Sequence, residues 1–128
     1  MYTAEDCRGV LINPYIKTIE EVIVKKNDIN SVYNAMSWLG HRVEFVQVGC
    51  VLPQGDNLLV DEEAALKPGR PVWKLNGVAF VGMGLFLGSE NDGATWCSAK
   101  IPLVDLQVYT SWTTIVSTGK IGLPHEVK

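Results

Sequence analysis

The sequence has little of the residue types that bind metals or act as nucleophiles. Its three cysteines, Cys7, Cys50 and Cys97, lie more than forty residues apart, so no pair has the spacing of a zinc site or a CxxC redox motif. The two histidines, His41 and His125, belong to no motif that pairs them with a cysteine or serine nucleophile. These absences predict a protein that is not an enzyme and that binds no metal or other cofactor.

The sequence also lacks a long hydrophobic run and an excess of positive charge. Its apolar stretches are interrupted well before the ~20 residues that a membrane-spanning helix requires, and residues 1–8 have no apolar core of a secretory signal. The net charge is −3, whereas proteins that bind duplex nucleic acid concentrate positive charge on one face. We therefore expect a cytoplasmic protein that binds neither membranes nor duplex nucleic acid.

The composition is that of a chain able to bury one core. Of its 128 residues, 47% are hydrophobic and 20% are charged. This balance is typical of globular proteins, and the length is too small for two independent cores of ordinary size. We expect a single domain over residues 1–117, followed by a frayed C-terminal tail over residues 118–128.

Turn residues between β-branched runs indicate an antiparallel architecture. Residues 9–25 have the pattern of a strand, a turn and a second strand, and Asn76-Gly77 between two apolar runs is typical of a tight hairpin. Apolar residues spaced by three and four predict one helix over about residues 28–39. Together these patterns predict an α+β fold, with a mostly antiparallel twisted sheet of about six to eight short strands and one main helix packed on one face.

Glycine punctuates the run from Gly82 to Gly88, which superficially resembles a dinucleotide-binding loop. Such a loop must open a helix, whereas this run continues into an acidic turn. It therefore predicts a strand that a ring or a backbone group approaches closely. Further along the chain, residues 102–106 are predicted to start a short helix and residues 107–117 to form a last strand.

The edges of the predicted sheet must be protected from pairing with other chains. Proline and lysine discourage such pairing, and Pro53, Pro71, Pro102, Lys25 and Lys26 lie at suitable positions. An unprotected edge would instead offer a route to a homodimer or to a strand from a partner.

Aromatic and charged residues supply the candidate binding surface. An exposed tryptophan beside an arginine or lysine favours contact with proteins or bases, although the four tryptophans of this chain are also suited to a core. The acidic residues between Asp56 and Glu63 either form a solvated rim or converge to hold a cation or to act as acid and base. The candidate binding residues are Arg70, Trp73, Lys74, Trp38, Arg42, Trp112, Asp61 and Glu62.

Three segments resemble a known family. Residues 9–22 (GVLINPYIKTIEEV), 56–67 (DNLLVDEEAALK) and 82–88 (GMGLFLG) look like a family of small uncharacterised proteins of bacteriophages and prophages, and the likeness spans about residues 9 to 106. The family has no established activity and transfers no functional residue. The resemblance implies a phage-type accessory protein that binds and inhibits a host protein or complex, such as an anti-CRISPR. The alternative is a sponge for a small ligand or nucleotide of host defence signalling, bound in a pocket lined by tryptophan and arginine.

Overall fold

The structure is a computed structural model that describes residues 6–26, 28–37, 45–50, 52, 55–90 and 95–119. This part of the chain consists mainly of strands, with two short helices and one turn of 3-10 helix. In chain order the elements are β1 (Asp6–Asn13), β2 (Thr18–Lys25), α1 (Ile29–Met36), β3 (Phe45–Cys50), β4 (Asn57–Asp61), the 3-10 turn (Ala64–Leu66), β5 (Pro68–Leu75), β6 (Val78–Val81), β7 (Gly84–Glu90), β8 (Thr95–Cys97), α2 (Leu103–Tyr109) and β9 (Thr110–Thr118).

The described strands form two antiparallel sheets. In the large sheet the strand order is β2-β1-β7-β4-β3, and β8 pairs with β7. In the small sheet the order is β6-β5-β9. The mostly antiparallel α+β architecture predicted from the sequence is confirmed, whereas the prediction of a single sheet is corrected to two.

The second sheet is required because the large sheet is apolar on both faces. Successive residues of a strand point to opposite faces, and in β1 both Val10 and Leu11 are buried. Val10 belongs to a cluster with Trp73 of β5 and Leu106 of α2, so this cluster lies between the two sheets. Leu11 belongs to a cluster on the opposite face, which includes Val32 of α1.

Both predicted hairpins are confirmed, and local turn chemistry explains them. In the β1–β2 turn the side chain of Asn13 accepts a hydrogen bond from the Tyr15 N–H at 3.0 Å, and Lys17 adopts a positive φ of 57°. In the β5–β6 turn Asn76 and Gly77 have φ values of 49° and 84°. Two consecutive positive φ values match the twist of a two-residue hairpin, which is why Asn-Gly is favoured there.

The predicted helix begins at its expected position. The side chain of Asp28 caps α1 by accepting a hydrogen bond from the Asn30 N–H at 3.1 Å. The helix ends at Met36, and residues 38–39 of the predicted span lie outside the described residues. Because α2 is almost as long, with seven residues against eight, the described chain has two helices of similar length.

The second helix includes residues 107–109, which the sequence predicted as the beginning of the last strand. Leu106 is fully buried in the core between the sheets, and Leu103, three positions earlier, packs against that core. This burial at helical spacing outweighs the strand preference of Val108. The last strand therefore begins at Thr110 and runs to Thr118, while residues 120–128 of the predicted tail lie outside the described residues.

The glycine run forms β7 and the bend before it. A Cβ on Gly84 would lie 2.7 Å from Cζ2 of Trp73, and a Cβ on Gly88 would lie 2.5 Å from the carbonyl oxygen of Ser98. A ring and a backbone group thus approach the strand at its glycines, as predicted.

Candidate binding site

The eight residues predicted to bind a partner do not converge on one site. Trp38 and Arg42 lie outside the described residues. The other six are divided between a polar cluster at the end of β4, the core between the two sheets, and the small sheet.

Trp73 is a core residue, and the prediction that its ring contributes to a binding surface is wrong. Its exposed fraction is 0%, and its Nε1 donates a hydrogen bond to the carbonyl oxygen of Gly82 at 2.8 Å. The ring also packs against Phe80, with the centroids 5.1 Å apart. Its neighbours Arg70 and Lys74 suggested a binding surface, but the ring faces the core between the two sheets.

Lys74 and Trp112 lie on opposite faces of the small sheet. Trp112 is directly across from Trp73 in the β5–β9 register and shares its face, whereas Lys74 is across from Ser111. Trp112 is half-buried and packs against the core between the sheets. These two predicted residues therefore do not form a common surface.

Tyr15, Asp61 and Arg70 form a polar cluster, which we call the Asp61 cluster. Burial raises the pKa of the Asp61 carboxyl, against the lowering effects of a 3.0 Å hydrogen bond from the Glu63 N–H and of the charges on Lys67 and Arg70. Burial likewise raises the pKa of Tyr15, while Arg70 lowers it and Asp61 raises it further. The cluster thus contains two residues that were predicted to bind a partner, Asp61 and Arg70, and one that was not, Tyr15.

The remaining acidic residues do not converge with Asp61. Asp56 is 1% exposed and accepts hydrogen bonds from the backbone N–H groups of Lys100, at 3.0 and 2.9 Å, and of Ile101, at 2.9 Å. It is thus a buried structural residue, which corrects its prediction as part of a solvated rim. Glu62 and Glu63 are exposed, as the solvated-rim alternative expects.

The outer edge of β9 lacks two of the features that protect strand edges, charge and proline, although its register with β5 shifts between Trp112 and Val116, as at a bulge. Its nine residues, TSWTTIVST, include no charged residue and no proline, and among the described strands β9 pairs with β5 alone. The other edge strands are protected. Charged residues occur in β2, a bulge interrupts β3, β6 has four residues and β8 has three.

Exposed apolar side chains surround the end of β9. Ile115, Val116 and Leu66 are 40%, 49% and 50% exposed. The Ser117 hydroxyl oxygen accepts a hydrogen bond from the Arg70 N–H at 2.9 Å, which places this end of the strand beside the Asp61 cluster. We call the outer edge of β9, together with Leu66 and Arg70, the β9 surface.

A separate pocket lies between the beginning of β2, the end of α2 and the beginning of β9. Its volume is about 180 Å³, and its lining residues are Lys17, Ile19, Gln107, Thr110 and Trp112. Of these, only Trp112 was predicted from the sequence. Lys17 and Ile19 are more than ninety residues from Trp112 along the chain, so no local pattern could have indicated that they share a pocket with it.

No family model, curated protein or solved structure matches this chain. In the part of the chain that the structure describes, neither helix has the length and apolar character needed to cross a membrane. Within the same residues, no three His, Cys, Asp or Glu side chains are grouped so that they could hold a metal ion. The β9 surface and the pocket are therefore the features from which a function is inferred.

Proposed function

We propose that this protein is a non-catalytic binding protein that recognises an extended segment of a partner protein at the β9 surface. The outer edge of β9 carries this proposal, because it is a nine-residue edge without charge or proline that no other described strand covers. Such an edge presents backbone N–H and C=O groups to an incoming strand.

Side chains beside the edge supply further contacts. Leu66 and Val116 are 50% and 49% exposed and form an apolar centre. Asp61 and Arg70 of the Asp61 cluster, with the exposed Glu62, form a polar rim. An apolar centre within a polar rim is the usual composition of a protein interface.

The chemistry of β9 also restricts the partner. Because the strand carries no charge, a charged side chain placed directly opposite it would find no counter-charge across the strand pair. The segment that fits is therefore extended and uncharged where it lies against β9. The proposed occupant is a segment of another protein, and the test below distinguishes it from pairing with a second copy of this chain.

The resemblance to phage and prophage proteins suggests where the partner comes from and what binding does to it. The partner is a host protein or complex in the cytoplasm, and binding inhibits it, as an anti-CRISPR does. The proposal also takes α1 as the helix that covers one face of the large sheet, since Val32 and Met36 are fully buried in the cluster on that face.

A sponge for a nucleotide is less well supported. The pocket of about 180 Å³ is smaller than the ~300–1,000 Å³ of typical ligand sites, and its lining includes no arginine.

Two matched lysine substitutions test the proposal. Val116→Lys places a charge on the β9 surface, and Val46→Lys places one on β3, the edge strand of the large sheet, where Val46 is 41% exposed. Both variants are checked for folding by thermal unfolding, and light scattering gives the oligomeric state. Partners captured from a host lysate by the unmodified protein are then purified and titrated against all three proteins.

The proposal expects a partner that binds the unmodified protein and Val46→Lys equally and binds folded Val116→Lys at least about tenfold more weakly. The proposal would be contradicted by a partner whose affinity is the same for Val116→Lys as for the unmodified protein, or by one that no longer binds Val46→Lys. A dimer that Val116→Lys converts to a monomer would assign the β9 surface to self-pairing instead.

A further inference from the structure

The pocket beside β2 and α2 is separate from the β9 surface and is lined by both polar and apolar side chains. Its volume is about 180 Å³. Ile19 and Trp112 in its lining also pack against the core between the sheets, so one side of the pocket is apolar. Lys17 and Gln107 are exposed and supply the polar side.

Several polar groups of the lining are unused. Among the described residues, the Lys17 ammonium, the Gln107 amide and the Trp112 indole N–H have no hydrogen-bond or ion-pair partner. The Thr110 hydroxyl is buried and also has no partner. A buried hydroxyl without a partner is unfavourable and calls for an explanation. Threonine has more than one accessible rotamer, so rotation about its Cα–Cβ bond can turn this hydroxyl toward a bound ligand.

The turn between β1 and β2 places Lys17 at the pocket. The φ of Lys17, 57°, lies in the left-handed region, where glycine and asparagine are favoured and lysine is uncommon. Here the conformation places a lysine among the lining residues of the pocket.

We propose that this pocket binds a small aromatic carboxylate. Donors outnumber acceptors in the lining and one donor is an ammonium, whereas none of the described lining residues is acidic, so the pocket favours an anion. The carboxylate accepts hydrogen bonds from Lys17 and Thr110, and the ring lies against Trp112 and Ile19. The volume equals that of about six liquid water molecules, which suits one ring with one carboxylate.

Benzoate is the probe, and benzamide is its neutral counterpart of the same shape. Saturation-transfer NMR and titration on the full chain are expected to give a benzoate Kd of about 1 mM or tighter and at least about fivefold weaker binding of benzamide. Lys17→Asn removes the ammonium while retaining a residue that tolerates positive φ, and is expected to weaken benzoate binding about tenfold. The matched variant Lys100→Asn changes an exposed lysine outside the pocket and leaves the affinity unchanged.

Thr110→Val separates a binding role from a structural one. Because the hydroxyl has no partner in the described structure, its removal is expected to leave the unfolding temperature unchanged or to raise it. The same variant is expected to bind benzoate several-fold more weakly.

Three results would overturn the proposal. These are no saturation transfer at about 10 mM benzoate, equal binding of benzoate and benzamide, or unchanged benzoate binding by folded Lys17→Asn. Inorganic phosphate that binds as tightly as benzoate would show a general anion site and would overturn the role of the ring.

Discussion

Replacing Gly84 with alanine tests how the two sheets pack together. The added Cβ would lie 2.7 Å from Cζ2 and 3.3 Å from Cη2 of Trp73, and 3.4 Å from Cδ1 of Leu58. Trp73 is 0% exposed, and the hydrogen bond from its Nε1 to the carbonyl oxygen of Gly82 holds the same edge of the ring in place. The methyl group therefore meets a ring that has no open space to move into.

The expected loss of stability follows from two effects. Overpacking of a close-packed core costs about 1–3 kcal/mol. Movement of the ring also weakens the bond from Trp73 to Gly82, which contributes about 1 kcal/mol. The free energy of unfolding of Gly84→Ala, measured by urea denaturation, should thus be about 2–4 kcal/mol lower than that of the unmodified protein.

Gly9→Ala is the matched control, because its added Cβ meets only the ends of side chains. The nearest atoms are Cδ1 of Leu85 at 3.0 Å and Cγ2 of Val22 at 3.2 Å. These can yield by small rotations, so the expected cost is about 1 kcal/mol or less. If Gly84→Ala were as stable as the unmodified protein, or more stable than Gly9→Ala, the packing of Trp73 against β7 would be refuted.

Two further predictions concern the aspartates. Asp56→Ala leaves the backbone N–H groups of Lys100 and Ile101 without their acceptor. We therefore expect the free energy of unfolding, measured by urea denaturation, to fall by about 3 kcal/mol. An unchanged free energy of unfolding would contradict the structural role of Asp56. For Asp61, the raised folded pKa means that the unmodified protein loses stability as the pH rises from 3.8 through that pKa. Asp61→Asn cannot ionise, so its urea midpoint should fall less over this range, and an equal or larger fall would contradict the burial of the carboxyl.

The parts of the fold that the sequence predicted depend on local chemistry. Asn76 and Gly77 adopt the positive φ values that their side chains permit, and Asp28 caps the helix that follows it. The glycines of β7 were recognisable because a residue without a Cβ in a strand marks a close approach. Such features are decided within a few residues and can be inferred without knowledge of the tertiary structure.

The parts that were missed depend on which elements come together. Residues 107–109 have strand-forming side chains but are helical because Leu106 is buried between the sheets. Trp73 was predicted to bind because Arg70 and Lys74 are close to it in the sequence, which does not show that its ring is buried between two sheets. The absence of charge in β9 is visible in the sequence, but its position at an edge follows only from the strand order.

Amide hydrogen exchange of the complex with a purified partner tests the central claim most directly. If the partner adds a strand to β9, the amides of residues 110–118 that face the outer edge should become strongly protected on binding, while those of β3, an edge strand of the large sheet, should keep their rates. Unchanged exchange throughout β9, with new protection at β3 or around the pocket, would show that recognition occurs elsewhere.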